Sequence, residues 1–336
     1  LILFRKNFGI SKIKPGLTGL AQTSGRNSMT IEDKVYFDHK YLRSKSILYD
    51  FQILLKTVFV FLIPGENEPV SASWPCFTQE EVNAVKKVIL SRKLNDVIGS
   101  KNKEFEDKFC RVFGVKYSST ISSGTSALEI ALRALDIGMG DEVIVSPRSF
   151  VASASSVVIV GARPVFVDIE YDSGNISADA ISRHITSKTK AIICVHLGGN
   201  PCDMDSIMKL ARANKISVIE DCAQAPGAKY KGKSVGSIGD LGAWSFCNDK
   251  IISTGEGGMI TTNRKALIKK VDAFKNHGRQ KKLPNISNKF SWECSSFGSN
   301  NRMTEMQAAI GLIQLKKLKV RHQIRDKYAK IILKAF

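Results

Sequence analysis

The sequence has few of the residues that build metal sites and disulfide frameworks. It contains five histidines and seven cysteines, and no cysteines stand in a CxxC pair or beside a His-rich stretch. An odd number of cysteines without such spacing is typical of reduced, buried or incidental thiols in a cytosolic protein. We therefore predict no metal site, no disulfide and a cytoplasmic location.

The sequence also lacks a long, purely apolar run. The most apolar segment, residues 47–63, is 17 residues long but contains Asp50, Gln52 and Lys56. A membrane-spanning helix needs about 20 apolar residues with few charges, so we predict an interfacial or core helix. The Pro-Gly-Glu-Asn sequence at 64–67 then ends this helix and predicts a domain boundary.

Acidic residues are fewer than basic ones, 31 against 50, which gives a net charge of +19. A net positive charge of this size suggests nucleic acid as a possible partner class. However, residues 1–65 carry +6 and residues 314–336 carry +7, which leaves +6 for the long middle of the chain. A basic segment beside an apolar run fits an anionic membrane surface better. We predict no nucleic-acid partner and a peripheral contact with the inner face of the membrane. For the basic C-terminal helix, a charged face that is simply solvated is an equally good explanation.

From Pro69 onward, helical and strand patterns alternate. At 336 residues and 43% hydrophobic composition, the chain can bury a substantial core. Strands separated by helical patterns predict a parallel sheet with right-handed crossovers. The predicted helices are 78–91, 104–112, 178–185, 204–213, 265–274 and 306–334, and the predicted strands are 115–121, 142–146, 164–169, 191–197, 216–219, 241–246 and 259–262.

Two neighbouring strands of this sheet end in groups that suit a covalently bound cofactor. The run 216–219 stops at Glu220-Asp221, and the run 241–246 is followed by Lys250. Parallel strands end at a ligand crevice, so Asp221 is expected to point into it. A lysine can form a Schiff base with pyridoxal phosphate, whose ring acts as an electron sink when an acid keeps its nitrogen protonated. Most lysines are solvated surface residues, but the spacing from Asp221 and the TGEGG sequence after Lys250 favour this role.

A turn of small residues, 122–126, joins a predicted strand to a predicted helix. Free backbone N–H groups and the positive end of a helix suit an anionic phosphate. Taken alone, the turn is more often a well-capped helix start, with odds of about two in three. The Asp221 and Lys250 motifs that follow strengthen the phosphate interpretation.

Several separated motifs resemble the DegT/DnrJ/EryC sugar aminotransferases, which install amino groups on nucleotide-linked keto-sugars. They are EDCAQAPGA at 220–228, WSFCNDKIISTGEGGMI at 244–260, NHG at 276–278 and GSNNRM at 298–303, and their order makes a chance match improbable. The resemblance implies an α/β, aspartate-aminotransferase-like fold with a mostly parallel sheet and helices on both faces. The small C-terminal domain of the family is expected to be truncated, because no strands follow the last helix.

The resemblance also implies roles for particular residues. Lys250 would carry pyridoxal phosphate and shuttle a proton, and Asp221 would pair with the pyridine nitrogen. The other implied cofactor contacts are Gly124, Thr125, Ser126 and Ser245 at the phosphate, Phe150 stacked on the ring, Ser153 one turn further on, Ala223 under the ring, Gln224 at the 3-hydroxyl and Asn300 near the dimer partner. Without the motif order, base rates favour a core residue for Phe150, and for His196 a hydrogen-bonded structural role is expected.

Residues 1–65 resemble the C-terminal end of bacterial sugar transferases, which load a sugar phosphate onto a polyprenyl phosphate. The pattern PGxTGxxQxxGR matches at 15–26, and Arg26 is a plausible phosphate contact. The family's catalytic Asp-Glu pair lies upstream of this pattern, so the segment is not expected to catalyse transfer alone. We predict a sugar-transferase segment at 1–65, a linker at 66–72 and an aminotransferase domain at 73–336, together with a small N-terminal helical piece.

The leading prediction is transamination from glutamate to a nucleotide-linked 4-keto-6-deoxy sugar by a homodimer, for surface polysaccharide. Relatives that dehydrate the sugar replace the lysine with histidine, and here the lysine is present. Two alternatives stay open: a membrane-associated sugar-phosphate transferase fusion with an auxiliary pyridoxal-phosphate domain, and a non-catalytic scaffold with this fold. Fold alone does not decide between them.

Overall fold

The structure is a computed structural model that describes residues 46–62, 74–279 and 296–335, together with positions 40, 41, 43 and 294. The chain divides into two compact units, Leu1–Cys76 and Phe77–Phe336. The sugar-transferase pattern at 15–26 and the expected linker at 66–72 lie outside the described residues. The two units are considered separately.

In the first unit, helix α1 covers Ile47–Leu62, close to the predicted helix at 47–63. It begins after Ser46, whose hydroxyl accepts the N–H of Tyr49 at 3.2 Å. Ile47 and Leu48 are exposed, whereas Ile53 is buried. Among the helices that the structure describes, none is long and apolar enough to cross a membrane.

The second unit alternates helices and strands as predicted, and most boundaries shift by one to three residues. Its helices are α2 (Gln79–Ser91), α3 (Lys101–Phe113), α4 (Gly124–Ala134), α5 (Ala152–Ile159), α6 (Ala178–His184), α7 (Met204–Ala213), α8 (Lys265–Phe274) and α9 (Glu305–Ala335). Its strands are β1 (Tyr117–Ile121), β2 (Glu142–Val145), β3 (Arg163–Phe166), β4 (Thr189–Val195), β5 (Ser217–Asp221), β6 (Lys229–Tyr230), β7 (Lys233–Ser234), β8 (Leu241–Ser245) and β9 (Gly258–Thr262).

A seven-stranded sheet forms the centre of this unit, in the order β1-β9-β8-β5-β4-β2-β3. The strands from β8 to β3 run parallel, whereas β9 is antiparallel to both β8 and β1. The reversal follows from the connection between β8 and β9, which has no crossover helix, and parallel neighbours require such a crossover. The mostly parallel α/β sheet is confirmed, and its antiparallel edge was not predicted.

Helices cover both faces of the sheet, so its strands are buried on both sides. Neighbouring residues of one strand enter different apolar clusters: Ile193 packs with α4 and α8 residues, and Ile192 packs with α6 and α7 residues. A third cluster joins α3 and α9 to the side chains of Trp244 and Phe246. Strands buried in this way are nearly continuous apolar runs, which is the pattern seen in the sequence.

Candidate active site

The carboxyl ends of β5 and β8 lie side by side, as the sequence predicted. The two strands are parallel, and Asp221 pairs in register with Ala243. Lys250 follows β8 on a turn in which its N–H bonds to the carbonyl of Cys247 at 3.0 Å. Its amine donates to the exposed Asp249 carboxylate at 2.9 Å, and its side chain is 19% exposed. The acid and the lysine therefore both lie at the carboxyl edge of the parallel strands, where such sheets bind ligands.

Asp221 is buried at the end of β5 and accepts two hydrogen bonds. The hydroxyl of Ser153 donates to Oδ2 at 2.8 Å, and the N–H of Ala223 donates to Oδ1 at 3.1 Å. Burial raises the pKa of Asp221, while these two hydrogen bonds and the positive charge of Lys250 oppose that shift. A carboxylate offers about four acceptor sites, so Asp221 retains capacity for a further N–H donor.

Ser153 is a buried residue whose hydroxyl hydrogen-bonds to the Asp221 carboxylate. It is buried at the start of α5, and its oxygen lies 2.6 Å from that of Ser149. The described contacts of its hydroxyl are thus with Asp221 and Ser149, and the geometry gives it a place in orienting the carboxylate.

Glu220 precedes Asp221 but faces the other side of the sheet, because side chains alternate along a strand. Its carboxylate is fully buried and accepts the N–H groups of Gly236, Ile238 and Gly239 at 2.7–2.8 Å. His196 Nε2 is a further neighbour, 3.0 Å from Glu220 Oε2. The last two residues of β5 thus have different roles, although the sequence pattern presents them as one acidic pair.

His196 has the structural role that the sequence predicted. Its Nδ1 accepts the N–H of Cys202 at 3.1 Å, so the ring proton lies on Nε2, which donates to Glu220. The potential metal-ligand atoms of His196, Glu220 and Cys222 lie within 4.8 Å of one another, a spacing that a metal ion could bridge. Both ring nitrogens and both Glu220 oxygens are already engaged by protein groups, so the cluster serves the fold.

The small-residue turn forms the start of α4 beside the end of β8. The Ser123 hydroxyl caps the helix by accepting the N–H of Ser126 at 3.1 Å. The N–H groups of Gly124 and Thr125 have no acceptor within the described part of the chain, as expected for the first turn of a helix. A Cβ on Gly124 would lie 2.6 Å from the Cβ of Ser245, so only glycine permits this close approach. Four residues predicted at the phosphate therefore lie together.

Ala223 and Gln224 follow Asp221 in the loop after β5. The Gln224 side-chain oxygen accepts the N–H of Gly198 at 2.6 Å, in the turn after β4. Because this bond occupies the oxygen, the amide nitrogen is the group left to donate. A donor is the type of group that a cofactor hydroxyl or phenolate oxygen requires.

Phe150 and Asn300 lie on exposed parts of the structure. Phe150 follows β2 and is 70% exposed. Asn300 forms an isolated bridge with Asn276, whose side chain accepts a hydrogen bond from Arg302 at 2.5 Å. The same segment reaches the small-residue turn at 122–126 through the Asn301 carbonyl, which accepts the N–H of Ser122 at 2.9 Å. Stacking by Phe150 and a dimer role for Asn300 stay predictions.

Sequence reasoning missed three residues of α9 that contact loops of the site. Gln307, Arg321 and His322 donate to the backbone carbonyls of Glu256, Ile251 and Pro226, respectively. In the sequence, Arg321 and His322 belong to a basic helix end that is typical of a solvated face. The one available signal was Gly227, since glycine marks a close approach of another group to the backbone.

The chemistry of these groups fits pyridoxal phosphate. An amine lies at the crevice edge, and a buried acid has acceptor capacity left. Backbone N–H groups that find no acceptor among the described residues begin a helix beside Ser245. The fold and the site together define a pyridoxal-phosphate-dependent enzyme of the α/β class.

Comparison with known proteins gives the family. The model of the DegT/DnrJ/EryC1/StrS aminotransferase family matches residues 75–336, and that of bacterial sugar transferases matches residues 5–64. The chain belongs to the DegT/DnrJ/EryC1/StrS aminotransferase family, whose cofactor is pyridoxal phosphate.

Curated relatives include sugar-metabolising proteins. The chain is 42% identical over 262 residues to the GDP-perosamine synthase of Escherichia coli O157:H7, covering 77% of this chain and 70% of that protein. It is 39% identical over 274 residues to the spore coat polysaccharide biosynthesis protein SpsC of Bacillus subtilis, covering 80% and 70%.

Solved structures confirm the fold. The aminotransferase from Psychrobacter cryohalolentis matches with a TM-score of 0.69 and 53% identity over 73% of this chain and 63% of that chain. Helicobacter pylori PseC, an aminotransferase of pseudaminic acid biosynthesis, matches with a TM-score of 0.68 and 35% identity over 74% and 65%. The chain thus spans about two thirds of the length of the solved relatives it matches.

Proposed function

We propose that this chain is an active pyridoxal-phosphate-dependent aminotransferase that transfers an amino group to a nucleotide-linked keto-sugar. One observation supports this most strongly: the buried Asp221, with acceptor capacity to spare, ends the strand next to the one that leads to Lys250. Bound pyridoxal phosphate supplies an electron sink for the carbon–nitrogen chemistry.

Each residue near the crevice has a distinct task in this proposal. Lys250 would hold the cofactor through Nζ, and the same atom would carry the transferred proton. Asp221 would keep a proton on the ring nitrogen. The predicted phosphate contacts are the N–H groups of Gly124 and Thr125 together with the hydroxyls of Ser126 and Ser245, and the predicted ring contacts are Phe150, Ala223 and Gln224.

Substrate class follows from the relatives, and the finer identity is a proposal. The relatives are named for GDP-perosamine, for a dTDP-linked 3-amino-3,6-dideoxy-galactose and for a UDP-linked 3-dehydro-glucosamine derivative. The nucleotide varies, while a nucleotide-linked sugar is common to all three. We propose a 4-keto-6-deoxy sugar as acceptor, glutamate as donor and a homodimer as the active form, with Asn276 and Asn300 near the partner copy.

A second candidate rests on the sugar-transferase match at residues 5–64. In this candidate the chain works beside a lipid-linked sugar pathway at the membrane, and the aminotransferase unit is auxiliary. Discrimination is direct, because an auxiliary or non-catalytic unit would not exchange amino groups with glutamate.

The first test is attachment of the cofactor. Purified protein incubated with pyridoxal phosphate should absorb in the visible, and borohydride should fix the cofactor on the peptide that contains Lys250. Lys250→Arg should abolish this labelling, whereas Lys209→Arg, an exposed lysine on α7, should not. Labelling of another lysine, or none at all, would refute the assignment. Amination of a panel of nucleotide keto-sugars with glutamate then identifies the acceptor.

A further inference from the structure

Helix α9 holds the two loops that carry the proposed catalytic groups. Arg321 Nη1 donates to the carbonyl of Ile251 at 2.8 Å, directly after Lys250 in the chain. His322 Nε2 lies 2.6 Å from the carbonyl of Pro226, in the loop that follows Asp221. A carbonyl oxygen only accepts, so Nε2 of His322 carries the proton of this bond. Two consecutive residues of one helix therefore bond the lysine loop and the acid loop.

Arg321 is itself held in place. It is 9% exposed, and its Nη1 also donates to the side-chain oxygen of Gln314, about two helical turns earlier. Gln314 is fully buried and donates in turn to Glu81 Oε1 at 2.8 Å. Lys317 donates to the same Glu81 oxygen at 2.7 Å. A continuous set of hydrogen bonds thus runs from α2 through α9 to the peptide next to Lys250.

Glu81 is a fixed starting point for this network. Although burial alone would raise its pKa, hydrogen bonds from Lys317, Thr78 and Gln314 lower the pKa of Glu81 to about 2. It also accepts the backbone N–H of Thr78 at 2.8 Å, which completes the glutamate half of the predicted capping box. Glu81 is therefore ionised at neutral pH, and charge-assisted bonds of this kind are the stronger ones.

The loop that His322 contacts has a glycine, Gly227, that leaves room for the imidazole. Gly227, directly after Pro226, has a φ of +91°. A Cβ at this position would lie 2.2 Å from His322 Nε2. A side chain on residue 227 would displace the imidazole, so the glycine and the histidine fit each other.

We propose that Arg321 and His322 are positioning residues that set the distance and orientation between Lys250 and Asp221. Neither touches the reacting atoms; each fixes one backbone carbonyl of a loop that does. Because the two residues are adjacent on a rigid helix, the separation of the loops is set by helix geometry. This inference rests on the proposed function, since it matters only if Lys250 and Asp221 act on one cofactor.

The test compares attachment of pyridoxal phosphate in variants of the full chain. Arg321→Met removes the guanidinium donors, and Arg321→Lys keeps a cation that can still donate. Lys319→Met is the matched control, because it removes one exposed positive charge from the same turn of α9. Three quantities are measured: the rate at which visible absorbance appears, the visible circular dichroism of the bound cofactor, and the free energy of unfolding without cofactor.

We expect Arg321→Met to slow attachment roughly 10- to 100-fold, since displacement of a reacting group by about 1 Å can cost as much as 100-fold. It should also change the visible circular dichroism, which reports the orientation of the cofactor. Arg321→Lys should recover part of both, and Lys319→Met should match the wild type. If Arg321→Met lowers only the free energy of unfolding and attaches cofactor at the wild-type rate, Arg321 is merely structural and the proposal is wrong.

His322 provides the second arm, which also serves if Arg321→Met does not fold. His322→Leu removes the donor to Pro226, and His322→Gln keeps an N–H donor. We expect slow attachment in the first and recovery in the second; equal, wild-type rates in both would overturn the proposal. Failure of the wild-type chain to label at Lys250 would instead refute the proposed function, so the two failures are distinguishable.

Discussion

Glu220 and Asp221 are consecutive residues of one strand, and both are buried, yet their surroundings differ in kind. Glu220 accepts three backbone N–H groups and faces a histidine that donates a fourth bond. Asp221 accepts one N–H and one hydroxyl. Burial is therefore common to the two carboxylates, but they differ in the number of hydrogen-bond donors that surround them. A saturated buried carboxylate is part of the fold, whereas one with capacity left is prepared for a ligand.

The largest effect that this comparison predicts is on the rate of Asp221→Asn. The variant lacks the charge that keeps a proton on the ring nitrogen, while the crevice still binds pyridoxal phosphate. A charge-assisted hydrogen bond contributes about 1.5–3 kcal/mol, so the half-reaction with glutamate should slow by at least about 10- to 100-fold, because about 1.4 kcal/mol is tenfold in rate. Single-turnover absorbance of the bound cofactor measures this rate.

A competing interpretation makes Asp221 a loop cap. Asparagine caps as well as aspartate does, so this interpretation predicts nearly equal rates for the two proteins. Such a result would eliminate Asp221 as the partner of the ring nitrogen and would remove the contrast with Glu220.

Glu220→Gln should show the opposite behaviour. One oxygen becomes an NH₂ group that faces backbone N–H donors, and an unsatisfied buried donor costs about 1–3 kcal/mol. The free energy of unfolding in urea should fall by this amount, while the rate per folded molecule with glutamate stays within a few-fold of wild type. A rate loss as large as that of Asp221→Asn, without a loss of stability, would show that the two carboxylates share one function.

The smallest predicted effect is a pH dependence of stability in the cofactor-free protein. Burial raises the pKa of Asp221 in the folded state, so the folded state binds its proton more tightly than the unfolded state. The stability gained from this proton is complete below the unfolded pKa of about 3.9 and is lost as pH rises through the folded pKa.

Comparison with Asp221→Asn isolates this contribution. From about pH 4 toward neutrality, the free energy of unfolding of the wild type should decline relative to that of the variant. Urea titrations of both proteins at several pH values give the difference. A difference that does not change with pH would mean that the surroundings of Asp221 do not shift its proton affinity.

The sequence predicted the elements that local signals define. Helix α7 has the predicted bounds, Met204–Ala213, because the Asp203 side chain caps it by accepting the N–H of Ser206. The turn at 122–126 and the helix start after it were predicted in the same way, from small residues between an apolar strand and an amphipathic helix. Lys250 and Asp221 followed from where apolar runs stop. In each case a few consecutive residues carry the information.

What the sequence left open depends on residues far apart in the chain. The direction of β9 is set by its pairing with β1 and β8, and an apolar run looks the same in either direction. Because side chains alternate along β5, Glu220 and Asp221 must face opposite sides of the sheet. Which of the two sides meets the 236–239 turn depends on the tertiary fold. Arg321 bonds to Ile251 across 70 positions, so no local pattern distinguishes it from the other basic residues of its helix.

The antiparallel edge of the sheet has a consequence for the order in which the site forms. Strand β1 leads into the turn at 122–126, yet its described sheet partner is β9, with Ile121 opposite Gly258. The Ser122 N–H, at the start of this turn, donates to the carbonyl of Asn301, which lies much later in the chain. Contacts between distant segments form late in folding because loop closure must precede them. The turn at 122–126 therefore gains its final hydrogen bonds only when β9 and Asn301, which are made later in synthesis, have folded against it.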